Sequence, residues 1–143
     1  IRVHPLARAL RSDKLTLAGI NATLLHYLKD EAKHEVPIWQ MITKPLDSIK
    51  TTAENWHQFL GAGKVLKSNS TVGGGSLTTE EIPTYLLALD LKKPDDFLHK
   101  LRESHPPIIA RIEEDRVLLD PRTVFPDQEA AFLRVLSHAL DTL

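Results

Sequence analysis

Residues 37–60, Pro37-Ile-Trp-Gln-Met-Ile-Thr-Lys-Pro-Leu-Asp-Ser-Ile-Lys-Thr-Thr-Ala-Glu-Asn-Trp-His-Gln-Phe-Leu60, decide the fold of the first half of the chain. Apolar side chains recur there in steps of three and four, the period of one helical face; they are Ile38, Ile42, Leu46, Ile49, Ala53, Trp56 and Leu60. Proline lacks an amide donor and clashes with the preceding turn, so Pro45 should divide this stripe. The sequence predicts a short helix over about 38–43 and a longer one over about 45–60, with Trp56 in the core.

A second apolar stripe precedes this segment. Its members are Leu17, Ala18, Ala22, Leu24, Leu25 and Leu28, which predict a helix over 15–28 that fades in the charged stretch 29–35. After the long helix, Gly61-Ala-Gly63 provides the residues that most readily adopt the left-handed conformation of a helix end. The first half of the chain is therefore expected to be helical.

The second half alternates extended and helical patterns. Residues 64–70 and 82–91 are expected to be extended, and residues 108–113 and 116–120 to form a hairpin around Glu114-Asp115. Two helices are expected to begin near Pro94 and Pro126, each with acidic residues in its first turn. Their inward-facing residues are predicted to be Phe97, Leu98 and Leu101 in the first, and Ala130, Phe132, Leu133, Leu136 and Leu140 in the second.

This order of elements predicts an α+β fold, in which helices pack on one face of a small, mostly antiparallel sheet. Residues 1–60 are expected to form a helical segment and residues 61–143 an α+β domain, together one compact unit. A chain of 143 residues with 42% hydrophobic residues has room for one modest core.

Composition narrows the classes of function. The net charge of −1 argues against a surface dedicated to coating nucleic acid, although it leaves room for a local basic patch. The absence of cysteine excludes disulfides, thiolate nucleophiles and cysteine-based metal sites, and the seven histidines lack the spacing of a ligand pair. No apolar run is long enough to span a membrane, and no signal-peptide pattern opens the chain. We expect a cytoplasmic protein with no membrane partner and no metal.

Three groups of residues have the chemistry to bind anions. Arg8 and Arg11 lie one helical turn apart and would present a cationic fork; the alternative is a solvated charged turn. Gly73, Gly74, Gly75 and Ser76 offer successive backbone amides that can form an anion-binding concavity, with Ser76 as a hydrogen-bond donor; the alternative is a flexible connection.

Arg111 is the third candidate, because it interrupts the apolar run 108–112 and an uncompensated charge is costly to bury. Alternation along a strand places Ile108, Ala110 and Ile112 on one face and Arg111 on the other. The alternative is an arginine that points to water. Asp120 and Arg122 are interpreted as a pair that stabilises the turn after the hairpin.

Several motifs resemble one enzyme family in order and spacing. They are His4-Pro-Leu-Ala-Arg-Ala-Leu-Arg-Ser-Asp-Lys-Leu-Thr-Leu-Ala18, Ala22-Thr-Leu24, Val72-Gly-Gly-Gly-Ser-Leu77, Glu81-Ile-Pro83, Pro107-Ile-Ile-Ala-Arg-Ile112 and Leu118-Leu-Asp-Pro-Arg-Thr123. The chain resembles the C-terminal part of bacterial selenocysteine synthases, the L-seryl-tRNA(Sec) selenium transferases. Pro121 departs from the usual family pattern, which has another residue there.

The resemblance implies the small C-terminal domain of a pyridoxal-phosphate enzyme of the aspartate-aminotransferase fold type. The cofactor lysine of that family lies in a large domain upstream of the matched region, and no segment of that type occurs here, so the chain is expected to be a non-catalytic fragment. By resemblance, Arg8 and Arg11 face the active site, where selenophosphate would bind. Arg111 would act on the aminoacyl ester or on a structural carboxylate.

The implied reaction converts seryl-tRNA(Sec) to selenocysteinyl-tRNA(Sec) through a dehydroalanyl intermediate. The implied partners are the missing large domain, seryl-tRNA(Sec), selenophosphate and further copies of the chain in a homo-oligomer. Two alternatives remain at this point: a pyridoxal-phosphate lyase or transferase that has no tRNA substrate, and a non-catalytic interaction domain.

Overall fold

Residues 12–72 and 81–142 are described by the structure, a computed structural model. They belong to two compact units, which divide between Thr43 and Lys44. Within the described residues, no helix has both the length and the apolar character needed to cross a membrane.

The first unit contains three helices: α1 (Lys14–Leu28), α2 (Ala32–Glu35) and α3 (Pro37–Thr43). Asp13 caps α1, because its carboxylate accepts a hydrogen bond of 2.7 Å from the amide of Thr16. The predicted helices over 15–28 and 38–43 are confirmed. The prediction for 29–35 is wrong in part: Asp30, with a φ of 57°, ends the first helix, but a short helical turn, α2, then forms within the charged stretch.

Helix α1 has no buried side chain. Its large apolar residues are between 44% and 84% exposed, and they are Leu15, Leu17, Ile20, Leu24, Leu25, Tyr27 and Leu28. From Leu15 to Leu28, the residues of α1 with ionisable side chains are His26 and Tyr27. The helix therefore presents apolar surface on several sides rather than along a single stripe.

The second unit contains helix α4 (Leu46–Leu60), strands β1 (Lys64–Thr71) and β2 (Glu81–Asp90), helix α5 (Pro94–Glu103), strands β3 (Arg111–Glu113) and β4 (Arg116–Leu119), a 3₁₀ turn (Pro121–Thr123), and helix α6 (Pro126–Asp141). Gly61, with a φ of 60°, ends α4 as expected. Gly63 has a φ of 79°, and its α-carbon lies so close to β2 that an added Cβ would be 2.7 Å from the carbonyl oxygen of Ala88.

The four described strands form one sheet in the order β1-β2-β4-β3, with every neighbouring pair antiparallel. The register pairs Lys64 with Ala88, Leu87 with Leu119, and Arg111 with Leu118. Glu114 and Asp115 join β3 to β4 with φ values of 50° and 59°, the positive values that a two-residue type I′ hairpin turn requires. The predicted α+β class and antiparallel sheet are confirmed.

The main core lies between the sheet and the helices α4, α5 and α6. Its buried members include Trp56 on α4, Phe97 and Leu101 on α5, Phe132 and Leu136 on α6, and Leu87, Leu89, Val117 and Leu119 on the strands. The ring centroids of Trp56 and Phe132 are 4.4 Å apart, and the two ring planes make an angle of 37°. We call this side of the sheet the helix-covered face.

The opposite side, which we call the second face, has a smaller cluster made of strand residues alone: Leu66, Leu86, Ala88 and Leu118. These residues alternate along the strands with those of the main core, as the two-residue period of a strand requires. Among the described residues of this unit, the helices thus pack on one face of the sheet, as the sequence predicts.

Several boundaries and one side chain differ from the sequence predictions: the strands expected at 64–70 and 116–120 are Lys64–Thr71 and Arg116–Leu119. The strand expected at 82–91 is Glu81–Asp90, and the strand expected at 108–113 is reduced to Arg111–Glu113 because residues 107–110 have no regular structure. The amide of Ile108 donates to the carbonyl oxygen of Leu101 at 2.9 Å, so the start of this segment is bonded to the last turn of α5 and not to a strand. Ala130 is exposed rather than buried, and Ala139 takes a buried place in α6.

Candidate functional site

Most residues that the sequence nominates for anion binding lie outside the described residues. These are Arg8, Arg11, Gly73, Gly74, Gly75 and Ser76. Their proposed roles therefore remain predictions. Arg111 is described, and Ser70 and Thr71 at the end of β1 lead toward the glycine segment.

Arg111 opens the edge strand β3 opposite Leu118. Directly paired residues of antiparallel strands lie on the same side of the sheet, and Leu118 belongs to the second face, so Arg111 lies there too. Ile108, Ala110 and Ile112 pack on the main core, which confirms the predicted alternation. The Arg111 side chain is 45% exposed, and its guanidinium is 3.6 Å from the carboxylate of Glu113. It is therefore a half-exposed cation on the face without helices.

Asp120 is the centre of a polar cluster that joins three strands. Its carboxylate accepts hydrogen bonds from the Ser70 hydroxyl at 2.5 Å and from the Thr84 hydroxyl at 3.0 Å. The amide of Arg122 donates to the same carboxylate at 2.9 Å. Ser70 and Thr84 are buried and share the second face with Leu66 and Leu86, because alternate residues of a strand lie on one side.

This cluster fixes the 3₁₀ turn after β4. The side chain of Asp120 caps the turn, and its backbone carbonyl accepts from the Thr123 hydroxyl at 3.0 Å. Arg122 is buried, and its guanidinium donates to the Pro83 carbonyl at 2.5 Å. The Asp120–Arg122 pair therefore stabilises the turn, and it also ties that turn to β1 and β2.

Lys44 lies on the other side of the same turn. Its ammonium group donates to the carbonyl oxygen of Pro121 at 2.7 Å and is 3.4 Å from that of Val124. Burial lowers the pKa of Lys44, while Glu129 and Asp120 partly oppose that shift. Burial also lowers the pKa of Arg122, opposed by Asp120. The side chains of Lys44, Arg122 and Asp120 thus surround the 3₁₀ turn. Burial shields the two cations in part from water.

Two cavities flank this region of the second unit. A small one of about 150 Å³ lies on the second face, lined by Leu66, Ser68, Leu86, Glu113, Arg116 and Leu118 among others. A larger one of about 620 Å³ lies on the helix-covered side, where Pro107, Ile109, Asp120, Val124, Gln128 and Phe132 contribute to the lining. Beside that cavity, the Trp56 indole donates to the Glu129 carboxylate at 2.7 Å.

On the second face, Arg111 presents a half-exposed guanidinium beside Glu113, and the Asp120 cluster ties the 3₁₀ turn to β1 and β2. Among the described residues, no three histidine, aspartate or glutamate side chains are close enough together to hold a metal ion.

Sequence reasoning missed Lys44, Ser70 and Thr84. Ser70 and Asp120 are 50 positions apart, and Lys44 is 77 positions from Pro121, so no local pattern could pair them. The alternation along β1 and β2 could have shown that Ser70 and Thr84 share a face. It could not have shown that Asp120 lies between them.

The fold and the site together define an α+β domain whose polar groups gather on and beside the second face of an antiparallel sheet. Residues 1–125 match the family described as L-seryl-tRNA selenium transferase. The chain belongs to that family.

Curated relatives support the same membership. The chain is 35% identical to the L-seryl-tRNA(Sec) selenium transferase of Aquifex aeolicus, over 98% of its own length and 32% of the relative's. It is 37% identical to that of Clostridium perfringens over 96% of the chain, and 32% identical to that of Alkaliphilus oremlandii over 98%. In each case it spans 32% of the relative, so the chain corresponds to about a third of these proteins.

Proposed function

We propose that this chain is the C-terminal domain of a pyridoxal-phosphate-dependent selenium transferase. The complete enzyme converts L-seryl-tRNA(Sec) to selenocysteinyl-tRNA(Sec), with selenophosphate as the selenium donor. The observation that carries the proposal is the family match over residues 1–125. The relatives' names supply the reaction, and their greater length leaves most of the catalytic machinery outside this chain.

The exposed apolar surface of α1 is consistent with a further domain that packs on this helix in the complete protein. A helix that is apolar on most sides is normally buried, yet the seven large apolar residues of α1 are all at least 44% exposed. We propose that residues 1–60 dock, through α1, on the large domain of the aspartate-aminotransferase fold type, and that residues 61–143, together with the helix α4 that packs on their sheet, form the small domain of such an enzyme. The same apolar surface supports assembly into a homo-oligomer.

Four of the lysines that the structure describes are already paired, which fits a cofactor lysine elsewhere in the complete protein. Lys44 is partly buried, but its ammonium group already donates to the Pro121 carbonyl. Lys50, Lys64 and Lys93 are exposed and pair with carboxylates. The proposal therefore assigns the cofactor and its lysine to the large domain.

The contribution of this chain is to bind and orient anionic groups. Arg8 and Arg11 are proposed to hold the oxyanion of selenophosphate, because a guanidinium matches such an anion with two donors. The backbone amides of Gly73, Gly74 and Gly75, with the Ser76 hydroxyl, are proposed as a second anion contact. Arg111, on the second face, is proposed to orient the seryl ester end of the tRNA.

The test is selenium transfer by the complete protein that carries this segment. Arg8→Ala and Arg11→Ala should each lower donor-dependent turnover about ten- to a hundredfold, since a charge-assisted hydrogen bond contributes about 1.5–3 kcal/mol. Cofactor absorbance and the unfolding temperature should not change. Lysine variants should recover only part of the rate.

Arg2→Ala is a matched control, because it removes an arginine near the same motif but outside it. Turnover and donor affinity that stay unchanged in both Arg8 and Arg11 variants would reject the proposed donor site. A complete protein that binds no pyridoxal phosphate and transfers no selenium to seryl-tRNA would reject the function itself.

A further inference from the structure

We propose that a cleft between α5 and α6 binds a backbone phosphate of an RNA. The cleft has a volume of about 480 Å³. Its lining residues are Lys100, Glu103, Ser104, His105, Arg134, Val135, His138 and Ala139. It lies in the second unit, and none of the residues nominated for selenium chemistry lines it. The choice of RNA as ligand rests on the proposed function.

One wall of the cleft presents two adjacent nitrogen donors. Arg134 and His138 are four positions apart on α6, so their side chains lie on the same face of the helix. Both are exposed. Between them, Val135 and Ala139 supply the apolar floor against which a sugar ring could rest.

The other wall brings a third donor from a different element. His105 follows the end of α5 and is exposed, and Lys100 lies in the last turn of that helix. The Lys100 ammonium group donates to Thr142, both to its carbonyl at 3.0 Å and to its hydroxyl. Lys100 is therefore held in place and adds positive charge without being the principal ligand.

The side chains of Arg134, His105 and His138 make no hydrogen bond or ion pair with any residue that the structure describes. Glu103 is the one acidic residue of the lining, and its carboxylate is 3.3 Å from the imidazole of His99. The cationic side chains of Lys100 and Arg134 therefore outnumber the single carboxylate in the lining, and the donors of Arg134 remain free within the described part of the chain.

This combination suits a phosphodiester. The guanidinium fork of arginine matches two phosphate oxygens, and imidazoles add further donors around the same anion. Phosphate contacts position an RNA without reading its sequence. The cleft would thus hold the backbone of the tRNA at a point away from its aminoacyl end.

The experiment measures the affinity of the protein for a short RNA hairpin by fluorescence anisotropy over a series of salt concentrations. Arg134→Ala should weaken binding about tenfold and lower the slope of log affinity against log salt by about one. His138→Ala should weaken binding by a smaller factor. Arg134→Lys should recover part of the loss, because it keeps the charge but not the fork.

Arg102→Ala is the matched control, because Arg102 is an exposed arginine of α5 that does not line the cleft. Equal RNA affinity in the Arg134→Ala and Arg102→Ala variants, with wild-type unfolding temperatures in both, would overturn the proposal. A second arm uses inorganic phosphate and follows the His105 and His138 imidazole resonances by NMR. A response to phosphate with no effect of Arg134→Ala on RNA affinity would show a free-phosphate site and would also overturn the RNA assignment.

The outcomes separate this inference from the proposed function. If the complete protein transfers selenium and Arg134→Ala leaves RNA affinity unchanged, the cleft proposal fails alone. If Arg134→Ala weakens RNA binding but the complete protein does not act on seryl-tRNA, the cleft stands as an RNA site and the proposed reaction fails.

Discussion

The Asp120 carboxylate accepts hydrogen bonds from three parts of the second unit. Its removal should therefore lower the stability of the fold more than most single substitutions do. Asp120→Ala would leave the Ser70 hydroxyl, the Thr84 hydroxyl and the Arg122 amide without their acceptor. We expect a loss of about 2–4 kcal/mol in the free energy of unfolding, because unsatisfied buried donors are costly. Urea denaturation followed by circular dichroism measures it.

Asp90→Ala is the control for this change. Asp90 is exposed, and its carboxylate is 3.5 Å from the ammonium group of Lys64. Exposed ion pairs of this kind contribute about 0–1 kcal/mol. A loss no larger for Asp120→Ala than for Asp90→Ala would show that the Asp120 cluster does not hold the turn to the sheet.

Asp13 should make the start of α1 sensitive to acid. The amide of Thr16 donates to the Asp13 carboxylate and lowers its pKa. The cap is therefore complete at neutral pH and is lost as the pH falls through that lowered pKa. We expect the amide resonance of Thr16 to shift with this titration in an NMR series.

Asp13→Asn keeps an acceptor oxygen at the cap but cannot titrate. In that variant the acid-dependent shift of the Thr16 amide should disappear while the helix remains. A Thr16 resonance that titrates equally in the wild type and in Asp13→Asn would mean that another group causes the effect.

At the scale of an element, α4 contributes to stability through one face. Trp56 is fully buried, contacts the Phe132 ring and donates to Glu129. Trp56→Ala should cost about 3–5 kcal/mol of unfolding free energy in a denaturant titration, as large-to-small core changes do. Phe59→Ala is the control on the same helix, because Phe59 is 63% exposed. If both changes cost the same, α4 is not anchored through its Trp56 face.

The junction between α4 and β1 depends on two glycines for different reasons. Both have positive φ, but a Cβ on Gly61 would meet open space, whereas one on Gly63 would be 2.7 Å from the Ala88 carbonyl oxygen and 2.8 Å from a Leu89 methyl group. Gly61→Ala should cost about 1 kcal/mol from backbone strain. Gly63→Ala should cost clearly more, because β1 must also move away from β2.

Thermal unfolding of the two glycine variants, measured side by side, tests this difference. Equal unfolding temperatures would mean that the close approach of Gly63 to β2 is relieved at no cost. A larger fall for Gly61→Ala would contradict the packing at this junction.

At the scale of the whole molecule, the apolar surface of α1 should dominate behaviour in solution. The double change Leu17→Lys and Leu24→Lys replaces side chains that are 56% and 54% exposed. It should change the unfolding free energy of the chain by less than about 0.5 kcal/mol. It should also reduce self-association in analytical ultracentrifugation, because less apolar surface remains for a partner. A loss of several kcal/mol would show that α1 is part of the core.

The sequence predicts regular elements well where they have a strong period. The stripe Ile49, Ala53 and Trp56 locates α4, and the alternation around Arg111 locates its face on the sheet. Both patterns arise from local geometry. The predicted helix over 15–28 is also confirmed, but the apolar residues of α1 are not confined to one face, and they do not reveal whether the chain itself buries that helix.

The candidate site is harder to predict from the sequence than the helices and strands are. The Asp120 cluster depends on the register of β2 with β4, which brings Thr84 to a residue 36 positions away. No local signal encodes such a pairing. The short strand β3 also depends on context, because the amide of Ile108 donates to the carbonyl oxygen of Leu101 at the end of α5 and not to a neighbouring strand.

The strand order has a consequence for the sequence of folding events. β1 with β2, and β3 with β4, are each neighbours along the chain, whereas the central ladder of β2 with β4 encloses α5 and β3. Loop closure costs more entropy for longer loops, and long-range pairing slows folding. The two outer ladders should therefore nucleate early and separately. The pairing of β2 with β4, which brings Leu87 to Leu119 and completes the main core, should then be the rate-limiting step of folding.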